Sequence, residues 1–353
     1  MVIFGIVALS PLALSLFFPN LKTNKTSKIV FGILCCIAMC FVLGFKNYRL
    51  GPSDLRTYYE NMQDAINSVS WKSFYDSESN LEAGYQMFVW LLSRIFRHPQ
   101  WLYIIVAIIC SVSVICFSFR YSENPVLSIT LFITVAGLTF EMSAIRQSIA
   151  MSICLCSVKF IKNGKFIPFV LVVLSAMLFH LSAIVFLPIY FLRKFKYNFV
   201  GISVILIVFI AAFLLIEPLI DWMNALLNRK NEYDSGHVFE SGGAIAVTIY
   251  VLIVLVSVIF NGRLKKNGRD TFFFYMLLVG FACYILRYTT IQIAERISFY
   301  FAFAQIILLP NTLACFKEKE KFLITGAVYL LAFLLFMYRI SSSLYVPFLF
   351  FWD

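Results

Sequence analysis

The chain has 353 residues, of which 61% are hydrophobic and only 13% charged, with a mean hydropathy of +0.87. Soluble domains average about 45–50% apolar residues, so an ordinary water-soluble fold is excluded and an all-α polytopic membrane protein is implied. The net charge of +11 would suggest nucleic acid only if its placement along the chain were ignored.

A membrane-crossing helix needs about 20 predominantly apolar residues. On that measure the chain reads as spans near Val2–Phe18, Lys28–Phe45, Trp101–Phe119, Pro125–Phe140, Ser143–Ile161, Phe166–Phe179, Leu181–Leu192, Asn198–Ile216, Ala244–Phe260, Thr271–Leu286, Ile297–Cys315 and Phe322–Tyr338. The expectation is therefore roughly 11–13 transmembrane or re-entrant helices in a single transmembrane domain over residues 1–353. Val2–Phe18 lacks a positively charged start and a small-residue cleavage site, so it reads as a retained span. Phe166–Phe179 and Leu181–Leu192 are short for two ordinary spans and suggest a tilted hairpin or a re-entrant pair. The nine cysteines all fall in apolar runs and behave as small hydrophobes. The three histidines are far apart, and no zinc-ligand spacing occurs.

The loops between these spans differ sharply in charge. One side receives 17 of the 29 basic residues and only four acids, for a net +13; the other side nets −2. Short loops rich in Lys and Arg stay cytoplasmic, which sends the opposite side, with both termini, outward. The basic excess thus reports orientation, and nucleic acid is not an expected partner.

The longest polar stretch, residues 46–100, then forms an outward-facing loop. Leu55, Tyr58, Tyr59, Met62, Ala65, Ile66 and Val69 recur at helical spacing and predict an amphipathic helix over Asp54–Val69. Gly51-Pro52 turns the chain, and Ser53 or Asp54 can cap the helix. A second helix is predicted from Glu82 to about Phe96, with Arg94 and Arg97 at its end. Asp54 and Glu82 each have a plain reading as first-turn acids favoured by the helix dipole. Asp76-Ser77-Glu78 has the spacing of a divalent-cation site, but two acids in a polar loop are common, and no metal or cofactor is assigned.

Charged residues inside apolar runs cost at least ~2.5–3.5 kcal/mol each, so they face a partner or a cavity. Glu141 and Arg146 lie at an outer turn. His180 follows Phe179. Arg287 closes one span, Glu295-Arg296 opens the next, and Arg339 ends the last. Glu141 with Arg146, and Glu295 with Arg287, are candidate structural ion pairs, and His180 can simply hydrogen-bond a neighbouring helix. The alternative is one outward cavity in which several guanidinium groups hold an anion.

Asp54-x-x-x-Tyr58-Tyr59, Glu82-x-Gly84-Tyr85, Ile145-Arg146-Gln147-x-x-Ala150, His180-x-Ser182-Ala183 with Pro188, and Tyr345 to Phe348 as Tyr-x-Pro-Phe occur in this order along nearly the whole chain. In these features the sequence resembles the EpsG family of bacterial polysaccharide polymerases, Wzy-type proteins in function. The resemblance implies a GT-C-like glycosyltransferase of the bacterial inner membrane that joins repeat units carried on undecaprenyl diphosphate at the periplasmic face. Its partners would be the lipid-linked glycan, membrane lipid and, as a candidate, a chain-length regulator. It implies Asp54 as the general base, with His180 and Glu82 as runners-up. Arg146, Arg287 and Arg296 would clamp the diphosphate, and Gln147, Glu295 and Arg339 would complete the substrate site. Tyr58, Tyr59, Trp71, Tyr75 and Tyr85 are candidate stacking surfaces for sugars. No glycine-rich phosphate loop is present, and a lipid-linked donor needs none. The rival readings are a polysaccharide ligase with nearly the same chemistry, a membrane acyltransferase, and a lipid-linked glycan flippase or other transporter. Transporters commonly carry internal repeats, and none is evident between the halves.

Overall fold

The computed structural model describes residues 1–21, 23–49, 51–77, 81–205, 207–208, 211, 242–260, 262, 266, 268–285 and 291–353. The described residues are helical, with no strand among them beyond one isolated bridge between Lys46 and Phe350. They divide into two compact units, Met1–Leu187 with Lys317–Asp353, and Pro188–Phe316.

The first unit opens with α1 (Val2–Ser15) and α2 (Lys25–Leu43). Asn24 starts α2 because its side chain accepts from the Thr26 and Ser27 amides at 2.9 and 3.2 Å, satisfying two otherwise orphaned donors. The polar stretch folds into α3 (Ser53–Asn67), α4 (Trp71–Ser77) and α5 (Ala83–Ile95). The cap of α3 differs from expectation. Pro52 is the N-cap residue and no side chain caps the helix, while Asp54 lies in the first turn. At the other end of α3 the Ser68 amide and hydroxyl donate to the Asp64 carbonyl, and the Arg94 guanidinium, 4.0 Å from the Trp90 ring, donates to the Ala65 carbonyl, which satisfies these last-turn acceptors.

The 22-residue helix α6 (Gln100–Tyr121) is the hub of this unit, with buried residues on more than one face. It packs against α2 and α9. The apolar run that follows is not one helix. It comprises α7 (Pro125–Leu131), a π turn (Phe132–Ala136) and α8 (Leu138–Glu141). A π turn breaks the regular carbonyl ladder, and Arg339 donates to the Val135 carbonyl there at 3.4 Å. Next come α9 (Ile145–Lys162) and α10 (Phe166–Met177), then a 3-10 turn (Leu181–Phe186). The predicted second member of the short pair is thus broken into this turn and α11 (Ile189–Leu192).

The unit is completed by α15 (Glu318–Ser341) and a terminal segment. Phe4 meets Phe336 and Phe348 edge-on, at 6.3 and 5.5 Å, which joins α1, α15 and that segment. The segment then pairs with the start of the polar stretch through Asn47 N–H to Leu349 O and Phe351 N–H to Phe45 O, both 2.9 Å.

The second unit contains α11, α12 (Gly242–Ile259), α13 (Gly268–Ile285) and α14 (Ile291–Leu313). Asp270 is buried and accepts from the Asn311 amide at 2.7 Å, which links α13 to α14.

Among the described residues, three helices, α2, α6 and α15, are long and apolar enough to cross a membrane. Val2–Ser15, Pro125–Ala136, Phe166–Met177, Leu181–Leu192 and Val247–Ile259 are shorter apolar helical stretches. At 1.5 Å per residue, the three long helices match a hydrocarbon core about 30 Å thick. All nine cysteines are free.

Candidate functional site

The site is built from three stretches far apart in sequence. Glu82 is the N-cap residue of α5, yet its side chain makes no cap hydrogen bond. The carboxylate turns outward instead. Its Oε2 lies 2.5 Å from a terminal nitrogen of Arg146, and its Oε1 lies 3.1 Å from His180 Nδ1. The reading of Glu82 as a helix-terminus acid is thereby replaced. The Glu141–Arg146 pair suggested by proximity in sequence also does not form. Arg146, in the first turn of α9, pairs across 64 residues with Glu82, and both Glu141 oxygens are buried without a hydrogen-bond partner.

His180 sits where the backbone leaves α10, extended at φ −159°, ψ 117°. A helical residue here would carry its ring around the axis of α10; the break releases it towards α5. Close approach of the two elements depends on Gly84. A Cβ there would lie 2.6 Å from Leu178 Cβ and 2.7 Å from the Leu178 carbonyl oxygen. Without it, the Tyr85 amide donates to that carbonyl at 3.2 Å, which draws the N-terminus of α5 onto the end of α10.

All three side chains are about a fifth to a quarter exposed. Burial works against the charged form of Glu82. The hydrogen bond with His180 and the Arg146 guanidinium outweigh it and hold the carboxyl down at about 2. An ionised carboxylate can only accept, so His180 Nδ1 must be the donor. In the neutral ring, Nε2 is then the proton-accepting nitrogen.

Aromatic rings wall the guanidinium. Arg146 lies 5.9 Å from the centroid of Tyr58 and 6.0 Å from that of Tyr85, and these two rings meet edge-on at 6.0 Å. Both tyrosines are buried, so their faces are given to Arg146 and to each other. Tyr59 points elsewhere and stacks on Tyr48 at 3.9 Å. Trp71 and Tyr75 belong to a separate aromatic cluster with Phe74 and Trp90. The Arg146 Nε is buried with no hydrogen-bond acceptor, and Gln147 beside it is buried.

Asp54 lies half-buried at the start of α3, one turn before Tyr58. The turn leading to it requires glycine. Gly51 has φ +94°, and a Cβ would lie 2.5 Å from the Tyr345 ring. Burial pushes the Tyr345 hydroxyl up to about 12, with the nearby Asp54 charge adding to it and Ser143 opposing. The Tyr-x-Pro-Phe element is thus folded against the Asp54 turn.

Arg339 holds the π-turn carbonyl of Val135. Arg296 is exposed on α14 in the second unit. Arg287, Glu78 and the Glu295 side chain lie outside the described residues. Among the described residues, no group of three His, Cys, Asp or Glu side chains is placed to hold a metal ion. Lys46, which is not among the predicted site residues, is buried. No sequence signal distinguished it, because it follows the apolar run that ends at Phe45.

Among protein-family models, one matches residues 28–350, the greater part of the chain, and describes the EpsG family. No curated protein and no solved structure matches the chain.

Proposed function

The chain belongs to the EpsG family of Wzy-like polysaccharide polymerase-related proteins, and from that premise we propose that it polymerises lipid-linked glycan repeat units at the outer face of the bacterial inner membrane. Within this reading the donor is a growing glycan on undecaprenyl diphosphate, and the acceptor is a hydroxyl of the incoming lipid-linked unit. His180 Nε2 takes the acceptor proton, the oxygen bonds to the donor's anomeric carbon, and the bond to diphosphate breaks. Undecaprenyl diphosphate leaves with the bonding electron pair.

The observation that carries this is the Glu82 carboxylate joined to both Arg146 and His180. A base oriented by a third group follows the arrangement of activated proton acceptors. A preorganised guanidinium with an unused buried donor suits the charge that develops on a leaving diphosphate, usually the largest single contribution to such catalysis. Glu82, held near pKa 2, is itself a weak base, since effective bases lie near the working pH. Asp54 carries a second reading as the base, favoured by its half-buried place in the first turn of α3 beside the conformationally demanding Gly51 turn.

The test uses a strain lacking this protein, complemented with wild type or Arg146→Ala, and displays lipid-linked glycans by chain length. Wild type should restore the ladder. Arg146→Ala should insert normally yet leave a single repeat unit. A normal ladder with Arg146→Ala overturns the site. Loss of even the single unit from the outer face points to a flippase, and a full lipid-linked ladder that is never passed on points to a ligase.

A further inference from the structure

Behind the start of α9 lies a small cavity of about 10 Å³, lined by Leu43, Lys46, Tyr103, Cys110, Glu141 and Ile145 among others. That is the room one water needs. Its two charged walls are under-satisfied. Both Glu141 oxygens are buried without a hydrogen-bond partner. The Lys46 ammonium, 1% exposed, donates to the Leu43 carbonyl at 2.5 Å and lies 4.8 Å over the Tyr103 ring. An ammonium carries three donors, and a carboxylate has room for several. Lys46 and Glu141 are too far apart for a direct ion pair, yet they share one cavity.

We propose that Lys46 and Glu141 share one proton across a single buried water, forming a net-neutral couple that ties the α8–α9 turn to the α2–α6 pair. The balance is Lys–NH3⁺ with Glu–COO⁻ on one side and Lys–NH2 with Glu–COOH on the other, the water donating and accepting in both. Net charge is zero throughout, which removes the cost of an isolated buried ion. The proton affinities fit this exchange, because burial pushes the Glu141 carboxyl up and the Lys46 ammonium down, towards each other. The other titratable groups facing the cavity are Tyr103 and Cys110 on α6. The couple also has mechanical reach. Gln100 bonds the Gly44 and Lys46 carbonyls at 2.8 and 3.0 Å, and the Tyr103 hydroxyl donates to the Leu55 carbonyl at 2.5 Å, next to Asp54. Ile145, on the opposite wall, precedes Arg146.

Infrared spectroscopy of the full-length protein in lipid nanodiscs tests the couple without any activity assay. The Glu141 carboxyl band is the one lost in Glu141→Gln. Lys46→Arg should abolish its protonated form, because a guanidinium does not release its proton, whereas Lys46→Met should leave it wholly protonated. A Glu141 band indifferent to both substitutions overturns the proposal. Thermal unfolding of Lys46→Met, Glu141→Gln and the double variant supplies a second readout. The double variant should unfold no lower than the worse single, and strictly additive shifts overturn the coupling.

Discussion

At the residue scale, Glu82 joins two side chains that nothing local in the sequence would pair, and its energetics set the first prediction. Its folded pKa of about 2 lies below the ordinary 4.5, so ionised Glu82 stabilises the fold at neutral pH. That contribution is complete above about 4.5 and is lost as pH falls from there towards about 2. Glu82→Gln removes it at neutral pH, leaves Arg146 half-buried without its counter-charge, and should cost about 2–3 kcal/mol. Unfolding midpoints followed against pH should show the wild type losing its advantage over Glu82→Gln between about 4.5 and 2. Parallel curves across that window would mean the carboxylate is not held by Arg146 and His180. The same geometry separates the two candidate bases. His180→Asn should lower the rate of polymerisation by about 100-fold or more while lipid-linked substrate still binds, in keeping with loss of a general base. Asp54→Asn should retain most of the rate. The reverse order of damage would move the base to Asp54.

At the element scale, the approach of α5 to the end of α10 depends on the absence of one methyl group. Gly84→Ala would drive a Cβ into the Leu178 backbone, which cannot give way as a flexible side chain would. The expected cost is about 1–3 kcal/mol, with a matching loss of activity as Glu82 is displaced from His180. Gly326, inside α15 with nothing within 4 Å of a built Cβ, is the control. Gly326→Ala should stabilise by about 0.5–1 kcal/mol, since alanine loses less backbone freedom in a helix. Thermal unfolding of the two variants checks both signs; equal effects would mean that Gly84 does not mark a close approach. Much at this scale was legible in advance. The helix predicted over Asp54–Val69 matches α3 to within two residues at each end, and Glu82 to Phe96 bracketed α5. The interruption at His180 was marked in advance by the boundary between Phe166–Phe179 and Leu181–Leu192, but the π turn was not legible, because a uniformly apolar run carries no period from which an interruption can be read. Nor was the Glu82–His180 contact, which spans 98 residues and depends on how α5 and α10 pack.

At the scale of the whole molecule, hydropathy gave an all-helical membrane body and the order of its apolar segments. It overstated their regularity, since apolar composition does not reveal where a helix stops. Among the described residues, only α2, α6 and α15 have the length and composition of complete spans, while several predicted spans are shorter helices. Orientation rests on charge rather than geometry. The segments assigned to one side hold 17 of 29 basic residues with four acids, an asymmetry that insertion machinery reads as cytoplasmic. On that argument the Glu82 site belongs to the opposite side, the side on which the proposed polymerisation would take place. A periplasmic reporter enzyme inserted at Ser73, on the exposed face of α4, should therefore be active, and the same reporter at Asn163, between α9 and α10, should be inactive. Activity at Asn163 with none at Ser73 would invert the chain and place Glu82, Arg146 and His180 on the cytoplasmic side. The donor would then be consumed before it crosses the membrane, and polymerisation at the outer face would be untenable whatever the side-chain geometry.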